Sequence, residues 1–424
     1  MSDIVIVGGG VFGLSTAAQY AHSSKVSVID KFEIPSPISA STDYNKIVRL
    51  EYNDEIYAEM AVEAMRFWQG EGSDTLPPGL LTDTYSHCGR ISVVPPESSP
   101  RYTFEMESLT LLQEKFGRCQ DVSEYCNDLT CNGKFSQFRE SQAKGKFRYN
   151  RDCGIGIAAK SLLVMKQYCK SLGVTFIEND GAACVKSSDD GVVVSLESGA
   201  QVNGRKALIA CGANTPSLLD LRQNVKSTGL YVGHIQLTEQ EFEKYRDIPV
   251  VFNPVVGYFF PPDPETRVLK ICASASSTYD LASNGLLPRY KKLEPDTVKS
   301  IPIQSVVQIR TLLAEYLPDL LYAADGQLRE IQDCKICWIS DTSDSNFIID
   351  EVPENPNVFV SCGDSGHGYK FLPNIGSYIM ARMENNLSSK LAKKWAFRES
   401  VWDNMTIPWR IEHKRRHVDQ IQWY

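Results

Sequence analysis

Three glycines near the start of the chain have the spacing of a phosphate-binding loop. Gly8, Gly10 and Gly13 follow the apolar run Ile4–Val7 and precede a stretch of helical character. In such a unit the first glycine permits a tight turn, the second lets a pyrophosphate approach the backbone, and the third lets the helix pack against the strand. The helix N-terminus offers N–H groups and the positive end of its dipole to phosphates. The pattern predicts a dinucleotide-binding unit, and the alternative is a glycine-rich turn that binds no ligand.

An acidic residue stands at the end of the next apolar run, Val26–Asp30. In this position the Asp30 carboxylate can accept hydrogen bonds from both hydroxyls of an adenosine ribose, and its charge repels a 2′-phosphate. The sequence therefore favours FAD or NAD(H) over NADP(H) as the ligand of this unit.

Two later segments carry small residues directly after an apolar run. The run Ala207–Cys211 leads into Gly212, and the run Val358–Ser361 leads into a second glycine-rich loop, Gly363–Lys370. Such turns suit a close approach of the backbone to a cofactor. Because these segments lie in the middle and near the end of the chain, we expect one discontinuous cofactor domain, with a substrate domain assembled from the insertions.

The rest of the chain alternates between helical and strand-like segments without repeats. We predict helices over 55–69, 160–172, 303–317 and 374–384, strands over Val174–Ile177, Val192–Leu196 and Ala207–Ala210, several strands within 228–275, and a change of module over the proline-rich residues 76–100.

Composition and charge exclude several classes of protein. The 424 residues are 42% hydrophobic and 23% charged, which is typical of a globular protein of two domains. The net charge of −8 argues against a nucleic-acid partner. No run approaches the roughly 18 apolar residues that span a bilayer, and the last three residues are no peroxisomal signal, so we expect a cytoplasmic protein without a membrane partner. The twelve irregularly spaced cysteines are expected to be free thiols, and no metal site is expected.

Five motifs together resemble the monomeric sarcosine oxidase family, whose relatives include pipecolate and saccharopine oxidases and the fungal fructosyl amino acid oxidases, or amadoriases. The motifs lie at Gly8–Gly13, Asp43–Arg49, Lys270–Cys272, Cys337–Thr342 and Gly363–Lys370, so the likeness runs over nearly the whole chain.

The resemblance implies an α/β flavoprotein with a discontinuous Rossmann-like FAD-binding domain of the glutathione reductase type. An α+β substrate domain, built mainly on an antiparallel sheet, is inserted into it. The expected FAD-binding domain comprises residues 1–85, 150–220 and 330–390, the expected substrate domain comprises 86–149 and 221–329, and a C-terminal helix or tail occupies 391–424.

The resemblance also implies a reaction. The family oxidises the C–N bond of a secondary amine to an imine, which water hydrolyses, and reduces O2 to hydrogen peroxide. We expect a monomer that acts on a small amino-acid-derived amine with a carboxylate. Two alternatives stay open, namely a flavin dehydrogenase that passes electrons to another acceptor and a flavin-binding protein without turnover.

Lys270 matches the family's oxygen-activating lysine. A buried cation beside the flavin stabilises the negative charge that develops as O2 is reduced. The apolar neighbours within Val268–Cys272 favour burial of this lysine. The alternative is a solvated lysine on a strand.

Arg49 and Lys370 match the pair that binds the substrate carboxylate, for which a planar guanidinium is well suited. Lys46 matches a basic position near the flavin ring. With Lys270, these residues form the expected catalytic set. The alternative for Lys46 and Arg49 is two surface charges that pair with nearby acids, Asp43 and Glu51.

Cys337 matches the cysteine that bonds the 8α-methyl group of the flavin, so the expected cofactor is covalently attached FAD. The alternatives are an ordinary buried cysteine, or a redox or half-zinc motif formed with Cys334, although the chain has no second Cys pair with zinc spacing. The residues expected to contact FAD are Gly8, Gly10, Val11, Phe12, Gly13, Asp30, Lys31, Ser41, Lys46, Val185, Gly212, Cys337, Gly363, Gly366, Gly368, Tyr369 and Lys370.

Two positions bear on the substrate. Fructosyl oxidases carry an acidic residue, and sarcosine oxidases a histidine, four positions after the oxygen-activating lysine, where this chain has Ser274. Arg49 is present in this chain, whereas fructosyl oxidases lack an arginine at this position. We therefore expect an N-methyl amino acid, pipecolate or saccharopine as substrate, with a fructosyl amine as the alternative. The aromatic run Tyr258–Phe260 lines a pocket or belongs to the core. His367 is expected to bond backbone rather than act as a base.

Overall fold

The computed structural model describes residues 2–118, 124–221, 224–274, 278–279, 301–399 and 422. Strands and helices are numbered along the chain. Most of the expected C-terminal segment, 391–424, lies outside these residues.

A first sheet of eight strands collects segments from three separate parts of the described chain. Its strands are β1 (Ser2–Val7), β2 (Val26–Asp30), β9 (Thr175–Glu178), β10 (Ala182–Ser188), β11 (Gly191–Leu196), β12 (Gln201–Ile209), β19 (Ile348–Glu351) and β20 (Val358–Cys362). Strand β1 runs parallel to β2 and β12, and β12 runs parallel to β20. Parallel neighbours place the carboxyl ends of β1, β12 and β20, and the small-residue turns that follow them, at one edge of the sheet.

A second, mainly antiparallel sheet has nine strands in the described residues. They are β5 (Arg90–Val93), β6 (Glu124–Cys126), β7 (Phe147–Asn150), β13 (Lys226–Gln236), β14 (Val250–Asn253), β15 (Gly257–Phe259), β16 (Val268–Ala273), β17 (Thr278–Tyr279) and β18 (Gln332–Asp341). A small third sheet joins β3 (Lys46–Arg49), β8 (Cys153–Gly156) and β4 (Tyr85–Ser86). The domain boundaries stay a prediction; β18, which that prediction groups with the FAD-binding domain, pairs with β13 of the second sheet.

The described helices are α1 (Val11–Tyr20), α2 (Glu55–Trp68), α3 (Pro100–Phe116), α4 (Ala158–Ser171), α5 (Glu239–Tyr245), α6 (Ile303–Tyr316), α7 (Ile375–Met383) and α8 (Ser389–Trp395). The predicted helices match α2, α4, α6 and α7 within three residues at each end. Asp54 directly precedes helix α2 and is its N-cap, because its carboxylate accepts a hydrogen bond from Tyr57 N.

Strand alternation determines which side chains reach the core. In β1, Ile4 and Ile6 pack under helices α1, α4 and α7, whereas Val5 and Val7 pack into a separate core on the opposite face. In the second sheet, Leu269 and Ile271 of β16 pack against helix α6. Lys270, between them, therefore points to the opposite face.

Candidate active site

A cavity of about 500 Å³ is lined by residues of both large sheets. It brings together sixteen of the residues predicted to be catalytic or to contact FAD, namely Gly8, Gly10, Val11, Phe12, Asp30, Lys31, Ser41, Lys46, Arg49, Gly212, Lys270, Cys337, Gly366, Gly368, Tyr369 and Lys370. Three others lie outside the lining. Gly13 packs helix on strand, because a Cβ there would lie 1.8 Å from the Gly8 carbonyl oxygen. Gly363 has φ +75°, and Val185 of β10 packs against the core that contains Val5 and Val7.

The first glycine loop presents backbone to the cavity. Gly8 has φ +106°, and a Cβ there would lie 2.4 Å from the Ala210 carbonyl oxygen, so only glycine fits this turn. Gly10 caps helix α1, and the first turn carries no acidic residue. Val11 N donates to Ser41 Oγ at 3.2 Å. The positive end of the helix therefore faces a cavity, in the arrangement that suits a pyrophosphate.

The Asp30 carboxylate is fixed at the end of β2 by two backbone donors. Gly9 N donates to Oδ2 at 2.8 Å, and Phe32 N donates to Oδ1 at 3.0 Å. Burial raises the pKa of Asp30, and these two donors oppose that change. Each oxygen keeps a second lone pair that can accept from a ribose hydroxyl. Lys31 instead pairs with Glu197 at 2.7 Å.

One buried carboxylate holds two of the predicted catalytic lysines, and we call these residues the Asp43 cluster (Asp43, Lys46 and Lys270). Asp43 Oδ2 lies 2.6 Å from Lys270 Nζ and 3.2 Å from Lys46 Nζ. Burial alone would raise the pKa of Asp43, but Lys270 and Lys46 hold it well below its ordinary value. Lys270 is 1% exposed, as its apolar neighbours predict, and also donates to the Asn45 carbonyl.

Cys337 adjoins the Asp43 cluster. Its Sγ lies 3.8 Å from Lys46 Nζ and 3.9 Å from Asp43 Oδ2. Cys334 lies on the other face of β18, in the core with Ile336, because positions three apart on a strand point to opposite sides. Only Cys337 of the two lines the cavity. This geometry disfavours a redox or zinc pair, which requires both sulfurs on one side.

Arg49 and Lys370 lie beside the same ring, and we call them the Arg49–Lys370 pair. The Arg49 guanidinium carbon is 4.8 Å from the Tyr52 ring centroid, and Lys370 Nζ is 5.1 Å from it. Arg49 donates to the Glu51 backbone carbonyl, and Lys370 donates to Tyr52 Oη and to the His367 carbonyl, both at 2.8 Å. Burial and the charge of Arg49 hold the pKa of Lys370 well below its ordinary value.

The sequence matches the FAD dependent oxidoreductase family over residues 3–382. The chain belongs to this family. It is 35% identical to L-saccharopine oxidase of Schizosaccharomyces pombe over 418 residues, which cover 93% of each chain. It is 21% identical to monomeric sarcosine oxidase of Bacillus sp. strain B-0618, over 94% of this chain and 97% of that one.

Solved structures agree with this assignment. The fructosyl peptide oxidase from E. terrenum superposes with a TM-score of 0.84 at 26% identity, over 99% of this chain and 97% of that one. The expected family, fold class and enzyme class are therefore confirmed, and the chain is an FAD-dependent oxidoreductase. The glycine loop, the fixed Asp30 and the cations beside Cys337 are chemically suited to this cofactor.

His367 has partners at both ring nitrogens. Nε2 lies 3.2 Å from the Ser345 carbonyl, to which it must donate, and Nδ1 lies 2.9 Å from Tyr52 Oη. Tyr52 Oη also accepts from Lys370. His367 therefore contacts a backbone carbonyl and positions Tyr52, and the expectation that it is no base stays a prediction.

Aromatic and charged side chains complete the lining of the cavity. Tyr258 and Phe260 line the cavity while Phe259 between them is in the core, so the aromatic run divides between both predicted roles. Arg90 and Arg101 also line the cavity and were not predicted. A charged residue at the start of a buried strand was the one signal for Arg90.

No described helix is both long and apolar enough to cross a membrane. In the described part of the chain, no three His, Cys, Asp or Glu side chains are grouped to bind a metal ion. The cysteines there are free thiols.

Proposed function

We propose that this protein is an oxidase of amino acids whose nitrogen is a secondary amine. FAD supplies the two-electron acceptor for oxidation of the C–N bond, and the products are an imine and hydrogen peroxide. The observation that carries the proposal is that Lys270 and the Arg49–Lys370 pair line the same cavity as the dinucleotide loop. The likeness to the S. pombe L-saccharopine oxidase over 93% of the chain supports it. A monomer in the cytoplasm is part of the same proposal.

The Arg49–Lys370 pair binds the substrate carboxylate. In the described residues, the side chains of this pair donate to neutral oxygens rather than to a carboxylate, so an incoming anion meets two buried basic groups. Buried charges of this kind are stabilised strongly by an opposite charge. This contact orients the amine and its neighbouring C–H bond within the cavity.

Lys270 promotes the reduction of O2. Its ammonium group is fixed by Asp43 and by the Asn45 carbonyl in a buried site. A cation that is already positioned stabilises developing negative charge without reorganisation. The fructosyl amine alternative has support from the solved relatives, but Ser274, which lines the cavity, offers no carboxylate to a sugar amine.

We also propose that FAD is attached through Cys337. Its sulfur lines the same cavity as the dinucleotide loop and lies 3.8 Å from Lys46 Nζ. Protein precipitated with acid is expected to retain yellow flavin, and Cys337→Ala is expected to release it. Cys272→Ala is the matched control, because Cys272 is a second buried thiol in the cavity lining. Retention of flavin by Cys337→Ala would assign the attachment elsewhere.

A substrate panel tests the reaction. Peroxide release is measured with N-methylglycine, pipecolate, saccharopine and fructosyl glycine. Turnover of one of the first three with stoichiometric peroxide supports the proposal. Flavin bleaching without peroxide would identify a dehydrogenase, and a preference for fructosyl glycine would establish the amadoriase alternative. No bleaching by any amine would overturn the proposal.

A further inference from the structure

Two buried arginines line the cavity in addition to the Arg49–Lys370 pair. Arg90 begins strand β5, and Arg101 lies in the first turn of helix α3. Their exposed fractions are 3% and 7%. The proposed reaction at the amine gives neither of them a role.

Both arginines are held in place by acids. Arg90 Nη2 lies 2.6 Å from Glu51 Oε1, and Arg101 Nε lies 2.8 Å from Glu105 Oε1. Glu105 also pairs with Arg148 at 2.7 Å. Arg90 Nε is buried and has no hydrogen-bond partner among the described residues. A buried guanidinium N–H without a partner is costly, so a ligand acceptor here is favourable.

Buried arginines are concentrated around two glutamates of the described chain. Arg90 pairs with Glu51, Arg101 and Arg148 pair with Glu105, and the charge of Arg49 helps to lower the pKa of Glu51. Burial, together with the charges of Arg49 and Arg90, lowers the pKa of Arg101 to about 10 despite its ion pair with Glu105. Arginines remain charged at neutral pH, so Arg90 and Arg101 present cationic guanidinium groups at the cavity that suit an anionic ligand.

Aromatic rings fix the two guanidinium groups. The Phe252 ring centroid lies 5.8 Å from the Arg90 guanidinium carbon and 5.3 Å from that of Arg101. Phe104 lies 5.1 Å from Arg101. Phe252 also lines the cavity. Planar cations that stack on rings lose little freedom when they bind a carboxylate.

We propose that Arg90 and Arg101 form a second anion subsite for a carboxylate at the far end of the substrate. The substrate is then an amine with a carboxylate on each side of its nitrogen. The Arg49–Lys370 pair binds the acid next to the oxidised C–H bond, and the second subsite binds the distant one. This inference rests on the proposed function, because it assigns the other end of the same substrate.

A series of synthetic substrates tests the subsite with the unmodified holoenzyme. N-alkylglycines are compared with glycines whose N-alkyl chain ends in a carboxylate instead of a methyl group, with one to five methylenes between nitrogen and acid. For the best chain length, kcat/KM is expected to exceed that of the matched alkyl compound by about 10- to 100-fold, as for a charged hydrogen-bonded contact. Equal or better turnover of every alkyl compound would overturn the inference.

Arg101→Gln then assigns the effect to this residue. It is expected to remove most of the preference for the acid while changing kcat/KM of the alkyl compound less than threefold. Arg101→Lys is expected to keep part of the preference for the substrate that ends in a carboxylate. Arg148→Gln is the matched control, since Arg148 pairs with the same Glu105 but is not among the residues that line the cavity. Equal loss for both substrates in Arg101→Gln would show a structural role only.

The two proposals fail in different ways. If the proposed function is wrong, neither the N-alkylglycines of both types nor pipecolate and saccharopine release peroxide. If only the subsite is wrong, the alkyl compounds are oxidised and the terminal carboxylate brings no gain at any length. Because the length series uses the unmodified protein, it decides the question even when a variant does not fold.

Discussion

The cations at two places in the cavity differ in the atoms that they contact. Lys46 and Lys270 share one ionised carboxylate oxygen of Asp43. Arg49 and Lys370 donate instead to neutral oxygens, two backbone carbonyls and the Tyr52 hydroxyl. The first group is compensated within the protein, whereas the second has cations to which an anion can be added.

The pKa values follow this difference. Burial acts against the charge of Lys46, but Cys337 and Asp43 raise its pKa above the ordinary value. Burial lowers the pKa of Lys370, and Arg49 lowers it further. Lys46, which has a carboxylate partner, therefore keeps its positive charge at neutral pH. A cation without one gains most when the substrate brings the carboxylate.

The largest expected effect concerns the compensated lysine. Lys270→Met is expected to slow reoxidation of reduced flavin by O2 about 10²- to 10³-fold, the usual loss when one preorganised electrostatic contact is removed. Anaerobic flavin reduction by substrate is expected to stay within a few fold. Stopped-flow absorbance at the flavin band measures both steps.

Lys335→Met is the matched control for this measurement. Lys335 is a partly buried lysine near Asp43, but it donates to the Ser39 and Thr42 carbonyls and is not among the lining residues. In Lys335→Met, reduced flavin is expected to be reoxidised by O2 at the rate of the parent protein. An unchanged rate in Lys270→Met would remove this lysine from the oxygen step.

The next effect is on stability. Asp43→Asn leaves the buried Lys270 and the partly buried Lys46 without their carboxylate, and we expect a loss of about 3 kcal/mol in the free energy of unfolding. Glu71→Gln, which removes an exposed ion pair with Arg66, is expected to cost under about 0.5 kcal/mol. Urea midpoints of the flavin-loaded proteins measure the difference.

Acidification gives a second test of the same residue. The pKa of Asp43 is lower in the folded state than its unfolded value of about 4. Its contribution to stability is therefore complete above that value and declines as the pH falls toward the folded pKa. The difference in the free energy of unfolding between the parent protein and Asp43→Asn is expected to decrease in this pH range. A difference that stays constant would contradict the ion pairs of Asp43.

Sequence reasoning succeeded where the signal was local. The glycine spacing and the apolar neighbours of Lys270 each lie within a few residues, and both matched the structure. The resemblance assigned Cys337 to the flavin, but the residues alone left a pair with Cys334 open, because excluding that pair depends on which face of β18 meets the cavity. Arg90 and Arg101 were missed for a related reason. Strand β5 reaches the cavity through its pairing with β14, where Arg90 lies opposite Val250, and no short motif encodes that register.

A smaller effect is expected at the Arg49–Lys370 pair. Arg49→Ala is expected to raise KM about 10- to 100-fold, because the substrate carboxylate would be buried with one cation instead of two. The exposed Arg66→Ala variant is expected to keep the parent KM. Steady-state peroxide release measures both, and a KM for Arg49→Ala within about twofold of the parent would count against this contact.

The smallest effect is a pH dependence of ligand binding that we expect from Lys370. The probe is (methylthio)acetate, which carries the substrate carboxylate but has sulfur in place of the titrating amine, and its Kd is read from the flavin absorbance. Because the pKa of Lys370 is depressed, its ammonium group loses a proton in the empty site as the pH rises. When a carboxylate is bound beside it, Lys370 retains that proton. Kd is therefore expected to weaken with rising pH, by at most about tenfold per unit. The arginines keep their charge and add no slope. Lys370→Met is expected to bind more weakly at low pH and to show a flat profile, and a flat profile in the parent protein would place the carboxylate away from Lys370.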